Sequence, residues 1–240
     1  MREKLALPYG VYEGETLGGK PHGKGKLVYK GRDVYEGDFV HGELHGEGKY
    51  TWTDSDHDPE SPGVYEGGFA NGKPHGKGRL AYLGGNVYEG DFADNIPHGK
   101  GKLIQNPGKT NETVYEGDFV HGKMTGKGKK EWPNGDVYEG DFVNAVPHGK
   151  GKETSWHGTI VYEGGFVDGK GTYTSKGLTF VGEFVKGMQS TGKCAYKDGT
   201  VKEGNWKGFT FYGQEEPPED KPYKRTPEEE AIRLRYEICP

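Results

Sequence analysis

One phrase recurs along this chain: a Tyr-Glu-Gly core, an aromatic residue two positions later, and then a segment rich in Gly and Lys. Its first residue is tyrosine in seven copies, Tyr12, Tyr35, Tyr65, Tyr88, Tyr115, Tyr138 and Tyr162. Two degraded copies follow, Phe180-Val181-Gly182 and Lys202-Glu203-Gly204. Self-similarity at a period of about 20 to 50 residues is typical of repeat architectures, in which each repeat is one supersecondary unit.

Each copy of the phrase predicts a β-hairpin. In the second copy, Tyr35, Gly37 and Phe39 share one face of a strand, and the residues between them are mostly polar. The chain turns at His41-Gly42 and returns over residues 46–52. Because glycine inside a strand marks the close approach of other groups, we expect the aromatic rings to lie flat over bare backbone.

The composition supports this interpretation only together with the period. A hydrophobic content of 30% and a mean hydropathy of -0.94 would favour disorder, but aromatic residues make up 12% and recur regularly. The net charge of -5 argues against nucleic-acid binding. No apolar run could span a bilayer, and residues 1–10 lack a signal-peptide pattern, so a cytoplasmic location is predicted. Cys194 and Cys239 are too few for a disulfide framework and are predicted to be free thiols.

The phrase Tyr-Glu-Gly-Asp-Phe followed by Gly-Lys-x-His-Gly-Lys-Gly resembles the MORN (membrane occupation and recognition nexus) repeat over residues 10–212. The resemblance implies consecutive antiparallel hairpins in a twisted, rod-like, single-layer sheet. It also implies scaffold, adaptor or targeting roles at cytoskeletal or membrane junctions. Many family copies have Trp at the position equivalent to Phe39. In this chain only the last copy does, with Trp206.

The predicted fold is all-β, an elongated single-layer antiparallel sheet of consecutive hairpin repeats with a short C-terminal helix. Residues 1–213 form the repeat rod, of about nine hairpins with the last two degenerate. Residues 214–225 form a linker and residues 226–240 a helical tail, since Thr226 and Pro227 provide a helix start and an apolar stripe follows. The tail is expected to cap the end of the rod or to dock on another molecule.

Three groups of residues suggest chemistry but are better explained as structure. Histidines recur in what we interpret as turns, at spacings too wide to share a metal ion: His22, His45, His75, His98 and His148. The glutamate of the core is present in every complete copy, whereas an active site is normally a single constellation. Asp54, Asp56 and Asp58 lack the Gly and Glu of a calcium loop. We therefore predict neither an enzyme nor a cofactor or metal site.

The aromatic side of a single-layer sheet has no second layer to cover it, so it is the predicted partner-binding surface. The first candidates are aromatic residues that break the repeat pattern late on return strands: Tyr29, Tyr50, Trp52, Tyr82 and Trp132. The second group consists of consensus rings, which serve mostly to build the repeat: Tyr35, Phe39, Tyr65, Phe69, Tyr88, Phe92, Tyr115 and Phe119. Aromatic residues of this kind are common anchors of protein interfaces.

The predicted function is a non-enzymatic scaffold or adaptor, in the cytoplasm and associated with cytoskeleton or cilium. It is expected to bind an extended peptide or an amphipathic helix of a protein partner along the aromatic face of the rod. Self-association through an open sheet edge is compatible with this prediction. The alternative is a peripheral membrane tether that binds anionic phospholipid headgroups through lysines of the return strands. These are Lys77, Lys100, Lys102, Lys127, Lys129, Lys150 and Lys152. Facing acidic residues and the negative net charge weaken this alternative.

Overall fold

Strands of four to ten residues, linked mostly by short turns, build the part of the chain that the structure describes. The computed structural model describes residues 2–53, 59–155, 158, 160–166, 168–175, 177–185, 188–207 and 210–214. These residues fall into two compact units, Met1–Lys123 and Met124–Pro240. The predicted helix over 226–240, most of the predicted linker, Cys239 and the three aspartates of the calcium-like segment lie outside the described residues.

Unit 1 is an open antiparallel sheet whose neighbouring strands follow the order of the chain. Its strands are β1 (Arg2–Leu7), β2 (Gly10–Leu17), β3 (Lys20–Tyr29), β4 (Val34–Val40), β5 (Glu43–Thr51), β6 (Pro62–Ala70), β7 (Lys73–Tyr82), β8 (Val87–Ala93), β9 (Ile96–Gln105) and β10 (Thr113–Val120). The two longest connections of this unit fall between β5 and β6 and between β9 and β10, at the same end of the strands.

Unit 2 continues the same pattern of consecutive antiparallel strands. Its strands are β11 (Lys123–Glu131), β12 (Val137–Val143), β13 (Val146–Ser155), β14 (Ile160–Phe166), β15 (Asp168–Ser175), β16 (Leu178–Val185), β17 (Met188–Tyr196), β18 (Val201–Lys207) and β19 (Thr210–Gly213). The predicted all-β class and hairpin order are confirmed. β1 was not predicted, because it lacks the repeated phrase.

Each repeat hairpin of unit 1, from β2–β3 to β8–β9, combines a tight turn with a bulge. At His41 (φ 53°) and Gly42 (φ 95°) both backbones are left-handed, as a two-residue hairpin loop requires. Gly37 pairs with Gly48, but the next residue, Asp38, pairs with His45, so the return strand bulges between them. The expectation that the repeated histidines lie in turns is therefore wrong. His22, His45, His75, His98 and His148 belong to return strands, and the following glycine has a positive φ that suits a bulge.

The core of unit 1 is a herringbone of aromatic rings on one face of the sheet. Tyr35, Tyr65 and Tyr88 each contact the Phe of their own hairpin and the Phe of the next hairpin. For Tyr35 the ring centroids lie 5.0 Å from Phe39 and 4.9 Å from Phe69, both edge to face. The same contacts continue through Tyr65, Phe92, Tyr88, Phe119 and Tyr115. Edge-to-face pairs add about 0.5–1.5 kcal/mol beyond area burial, which stabilises a sheet that has no second layer among the described residues of this unit.

The buried tyrosine hydroxyls are satisfied within their own hairpins. Tyr35 Oη donates to the carbonyl of Asp38 at 2.9 Å, three residues later in the same strand. Equivalent bonds join Tyr65 to Gly68 and Tyr138 to Asp141 at 2.9 Å. A buried hydroxyl without a partner would cost about 1–3 kcal/mol. The recurrent bond explains how a phenol can occupy the centre of every repeat.

Candidate interaction surface

The consensus rings are buried and do not form an accessible surface in unit 1. Their side chains are 0–4% exposed: Tyr35, Phe39, Tyr65, Phe69, Tyr88, Phe92, Tyr115 and Phe119. The expectation that a single-layer sheet leaves these rings uncovered is therefore wrong, because rings of neighbouring hairpins cover one another. They can support a binding surface, but they offer almost no area to a partner.

Three of the aromatic residues that break the repeat lie outside this core in one row across unit 1. Tyr29 ends β3, Trp52 directly follows β5 and Tyr82 ends β7. Val28 pairs with Val34 and Val34 with Thr51, which places Asp33 between Tyr29 and Trp52. Trp52 N then donates to Gly63 O at 3.0 Å, and Pro62 is paired with Tyr82. We call Tyr29, Trp52 and Tyr82 the aromatic row; all three side chains are half-buried.

Tyr50 connects the aromatic row to the core. The centroid of its ring lies 5.8 Å from that of Tyr29 and 4.5 Å from that of Trp52. On the other side of Tyr29, the ring of Tyr9 lies 6.1 Å from the Tyr29 ring. These rings are tilted by 33–41°, unlike the edge-to-face pairs of the core. Burial raises the pKa of Tyr50 above its ordinary value, and the nearby Tyr29 and then Asp33 raise it further. The ring is therefore held as a neutral phenol beside a carboxylate.

Acidic side chains lie beside the aromatic row. Asp33 accepts hydrogen bonds from Tyr50 Oη at 3.2 Å and from the Thr53 backbone N–H at 2.9 Å. Burial raises the pKa of Tyr29, and the nearby Tyr9 and Asp33 raise it further. Burial also raises the pKa of Tyr82, with a smaller contribution from Glu60. Asp33 and Glu60 thus place negative charge beside the row.

Trp132 has the corresponding position in unit 2. Its backbone N–H donates to Asp136 O at 2.9 Å, as that of Tyr29 does to Asp33 O. Lys130 Nζ lies 5.3 Å from the centroid of the Trp132 ring, within cation–π distance. Lys130 is buried at the position that Leu27 and Leu80 occupy in unit 1, and Asp136 is buried as well. The two aromatic sites therefore differ in chemistry.

The candidate lipid-binding lysines lie on the opposite, polar face, where acids alternate with bases. One row of partners across unit 1 alternates in sign at every strand: Lys4, Glu13, Lys26, Glu36, Lys49, Glu66, Arg79, Glu89, Lys102 and Glu116. In unit 2, Lys129, Glu139, Lys152 and Glu163 alternate likewise. Each lysine of this charge ladder therefore faces glutamate, which weakens the field that anionic headgroups would require.

A second row joins lysines to aspartates of the following strand. Lys77 Nζ lies 2.6 Å from Asp91, Lys100 Nζ 2.6 Å from Asp118, and Lys127 Nζ 2.5 Å from Asp141. On its other side, Asp91 Oδ2 accepts a hydrogen bond from the Lys100 backbone N–H at 3.0 Å. Asp91 and Asp141 therefore each link three strands, since the Lys150 backbone N–H likewise donates to Asp141 Oδ2 at 3.0 Å. Lys150 differs from these lysines, since its partner in β14 is Gly165.

Among the described residues, no group of three or more His, Cys, Asp or Glu side chains is arranged to hold a metal ion. Histidine rings do approach in pairs, with centroids 5.4 Å apart for His22 and His41 and 5.5 Å apart for His98 and His121. Over the same part of the chain, no helix has the length and apolarity to cross a membrane. Cys194 is buried and has no disulfide partner among these residues.

Comparison with known families agrees with the geometry. The MORN repeat model matches residues 12–34, 35–57, 65–87, 88–110, 115–137, 138–155 and 180–201. The unmatched stretch after residue 155 contains the shortened hairpin of β14 and β15. No curated protein matches the chain. The family model covers more than half of the sequence, and the chain belongs to the MORN repeat family.

Proposed function

We propose that this protein is a non-enzymatic scaffold that binds protein partners through the aromatic row of unit 1. The observation that carries the proposal is that Tyr29, Trp52 and Tyr82 remain half-exposed beside a core that is already closed. MORN repeats occur in scaffold and membrane-associated proteins, and the family is generally non-enzymatic. We also propose a cytoplasmic position at cytoskeletal or membrane-associated structures.

The row has the properties of an interface anchor. Binding energy concentrates in a few Trp, Tyr and Arg side chains, which are costly to truncate. Tyr29 and Trp52 both contact the ring of Tyr50, which is paired with the buried Tyr35 of the herringbone. Little conformational entropy would be lost when a partner contacts such supported side chains.

Affinity capture with matched variants tests the proposal. The full chain, Trp52→Ala and Val28→Ala would serve as baits; Val28 is 40% exposed on the opposite face of the sheet. We expect the proteins captured by the wild type to be lost with Trp52→Ala and retained with Val28→Ala. Circular dichroism and thermal unfolding would show that both variants are folded. Recovery of the same proteins by Trp52→Ala would overturn the proposal.

A further inference from the structure

The spacing and charge of the aromatic row point to one class of partner. We propose that the row binds an extended, basic, proline-rich segment in the polyproline II conformation, lying across the strands of unit 1. This inference rests on the proposed function, because it names the chemistry of the partner that the same row would bind.

The first argument is spacing. Tyr29, Trp52 and Tyr82 lie on alternate strands, and adjacent strands are about 4.8 Å apart, so successive row members are about 9.6 Å apart. Polyproline II rises about 3.1 Å per residue with three residues per turn, which repeats one face every ~9.3 Å. A proline at every third position would therefore meet each ring in turn. A helix repeats a face every seven residues at about 10.5 Å, a poorer match along the row.

The second argument is the arrangement of the rings. Interplanar angles of 38° between Tyr29 and Tyr50 and 41° between Tyr50 and Trp52 leave ring faces inclined to one another. Inclined aromatic faces suit flat pyrrolidine rings, as in the aromatic-lined grooves that bind proline-rich peptides. The hydroxyls of Tyr29 and Tyr82 and the indole N–H of Trp52 are donors. Polyproline II has no internal hydrogen bonds, so its carbonyls are available to accept.

The third argument is charge. Asp33 lies in the row between Tyr29 and Trp52, and Glu60 is close enough to Tyr82 to affect its ionisation. A lysine or arginine between prolines would complement these carboxylates, whereas an acidic residue would be repelled. Lys30 and Arg32 are exposed in the turn before Asp33, so the experiment must vary the charge of the peptide directly.

Fluorescence anisotropy with labelled synthetic peptides tests the proposal on the full chain. The probes are (Pro-Pro-Lys)4, the charge-matched (Gly-Gly-Lys)4, the acidic (Pro-Pro-Glu)4 and an amphipathic Leu/Lys helix. We expect (Pro-Pro-Lys)4 to bind at least about tenfold more tightly than the others. Equal binding of (Gly-Gly-Lys)4 would indicate non-specific attraction of charge and would overturn the proposal. So would tighter binding of the helix.

Variants locate the site. Trp52→Ala should weaken binding of (Pro-Pro-Lys)4 about tenfold or more, whereas Val28→Ala should not change it. Asp33→Asn should reduce the preference for (Pro-Pro-Lys)4 over (Pro-Pro-Glu)4 severalfold, and circular dichroism would show that the variant is folded. Unaltered binding by Trp52→Ala would place the peptide elsewhere and reject the assignment. If no proline-rich peptide binds but Trp52→Ala still loses the captured proteins, this inference fails and the scaffold function stands.

Discussion

The ring of Tyr35 occupies the space that a side chain at Gly48 would need. A Cβ atom at Gly48 would lie 2.4 Å from Tyr35 Oη and 2.5 Å from its Cε2. The same relationship joins Tyr65 to Gly78 and Tyr88 to Gly101. In these hairpins, the tyrosine ring therefore packs directly on the glycine that follows the bulge of the return strand.

Replacing this glycine should destabilise the protein. Gly48→Ala forces either the Tyr35 ring or the backbone to move, and overpacking of this kind costs about 1–3 kcal/mol. Gly31→Ala is the matched control, because nothing lies within 4 Å of its Cβ position and its φ is not in the left-handed region. We expect Gly31→Ala to be neutral or slightly stabilising. Urea denaturation compares the two variants. Equal denaturation midpoints for Gly48→Ala and Gly31→Ala would contradict the packing of the Tyr35 ring on Gly48.

The hairpins were predictable from local pattern, because alternation with period two and paired turn residues such as His41-Gly42 are short-range signals. The bulge was not. A His-Gly pair in a return strand looks like a turn in sequence, since both structures use a glycine with positive φ. Only the register around Gly37 and His45 separates the two cases.

The candidate site was predictable only in part. Repeat-breaking aromatics such as Trp52 stand out in the sequence, and the structure places them outside the core. The burial of Phe69 could not be predicted, because it depends on Tyr35 of the preceding hairpin. The partner of Lys77 was likewise undetermined, since strands on either side of a lysine carry acids and only side-chain geometry selects Asp91.

Asp91 should stabilise unit 1 more through its backbone contact than through its ion pair. Asp91→Ala leaves the Lys100 N–H without its acceptor, at a cost of about 1 kcal/mol, whereas Lys77→Met removes only an exposed pair worth about 0–1 kcal/mol. Urea denaturation of both variants measures the difference. The Lys77 side chain holds the pKa of Asp91 below its ordinary value. The stability that Asp91 contributes through this pair should therefore be lost as the pH falls and the carboxylate is protonated. A larger loss with Lys77→Met than with Asp91→Ala would reverse this ranking.

The charge ladder should prevent binding to anionic membranes. Lys102 faces Glu89 on one side and Glu116 on the other. In co-sedimentation with phosphatidylserine vesicles, the wild type should therefore stay in solution. A Glu89→Lys/Glu116→Lys double variant, in which three adjacent strands carry lysine in this row, should sediment at low salt and be released at high salt. Sedimentation of the wild type with the same salt dependence would restore the membrane-tethering alternative.

Alkaline pH should destabilise the protein through its buried tyrosines. Burial raises the pKa of Tyr65 and of Tyr115 to about 12, from 10.0 for the exposed phenol. Below pH 10 both the folded and the unfolded state keep these protons, and the stability contributed by burial is fully present. Between about pH 10 and 12 only the unfolded state releases them, so the free energy of unfolding should fall by about 1.4 kcal/mol per pH unit for each tyrosine.

The variant Tyr65→Phe tests this explanation, because it loses the hydrogen bond to Gly68 but cannot ionise. It should be less stable than the wild type at neutral pH, and its free energy of unfolding should fall less steeply at alkaline pH. Urea denaturation at pH 8, 10 and 11, with tyrosinate absorbance recorded in parallel, measures how the free energy of unfolding of each protein depends on pH. Equal slopes for the wild type and the variant would mean that Tyr65 ionises as readily in the folded protein as in the unfolded chain.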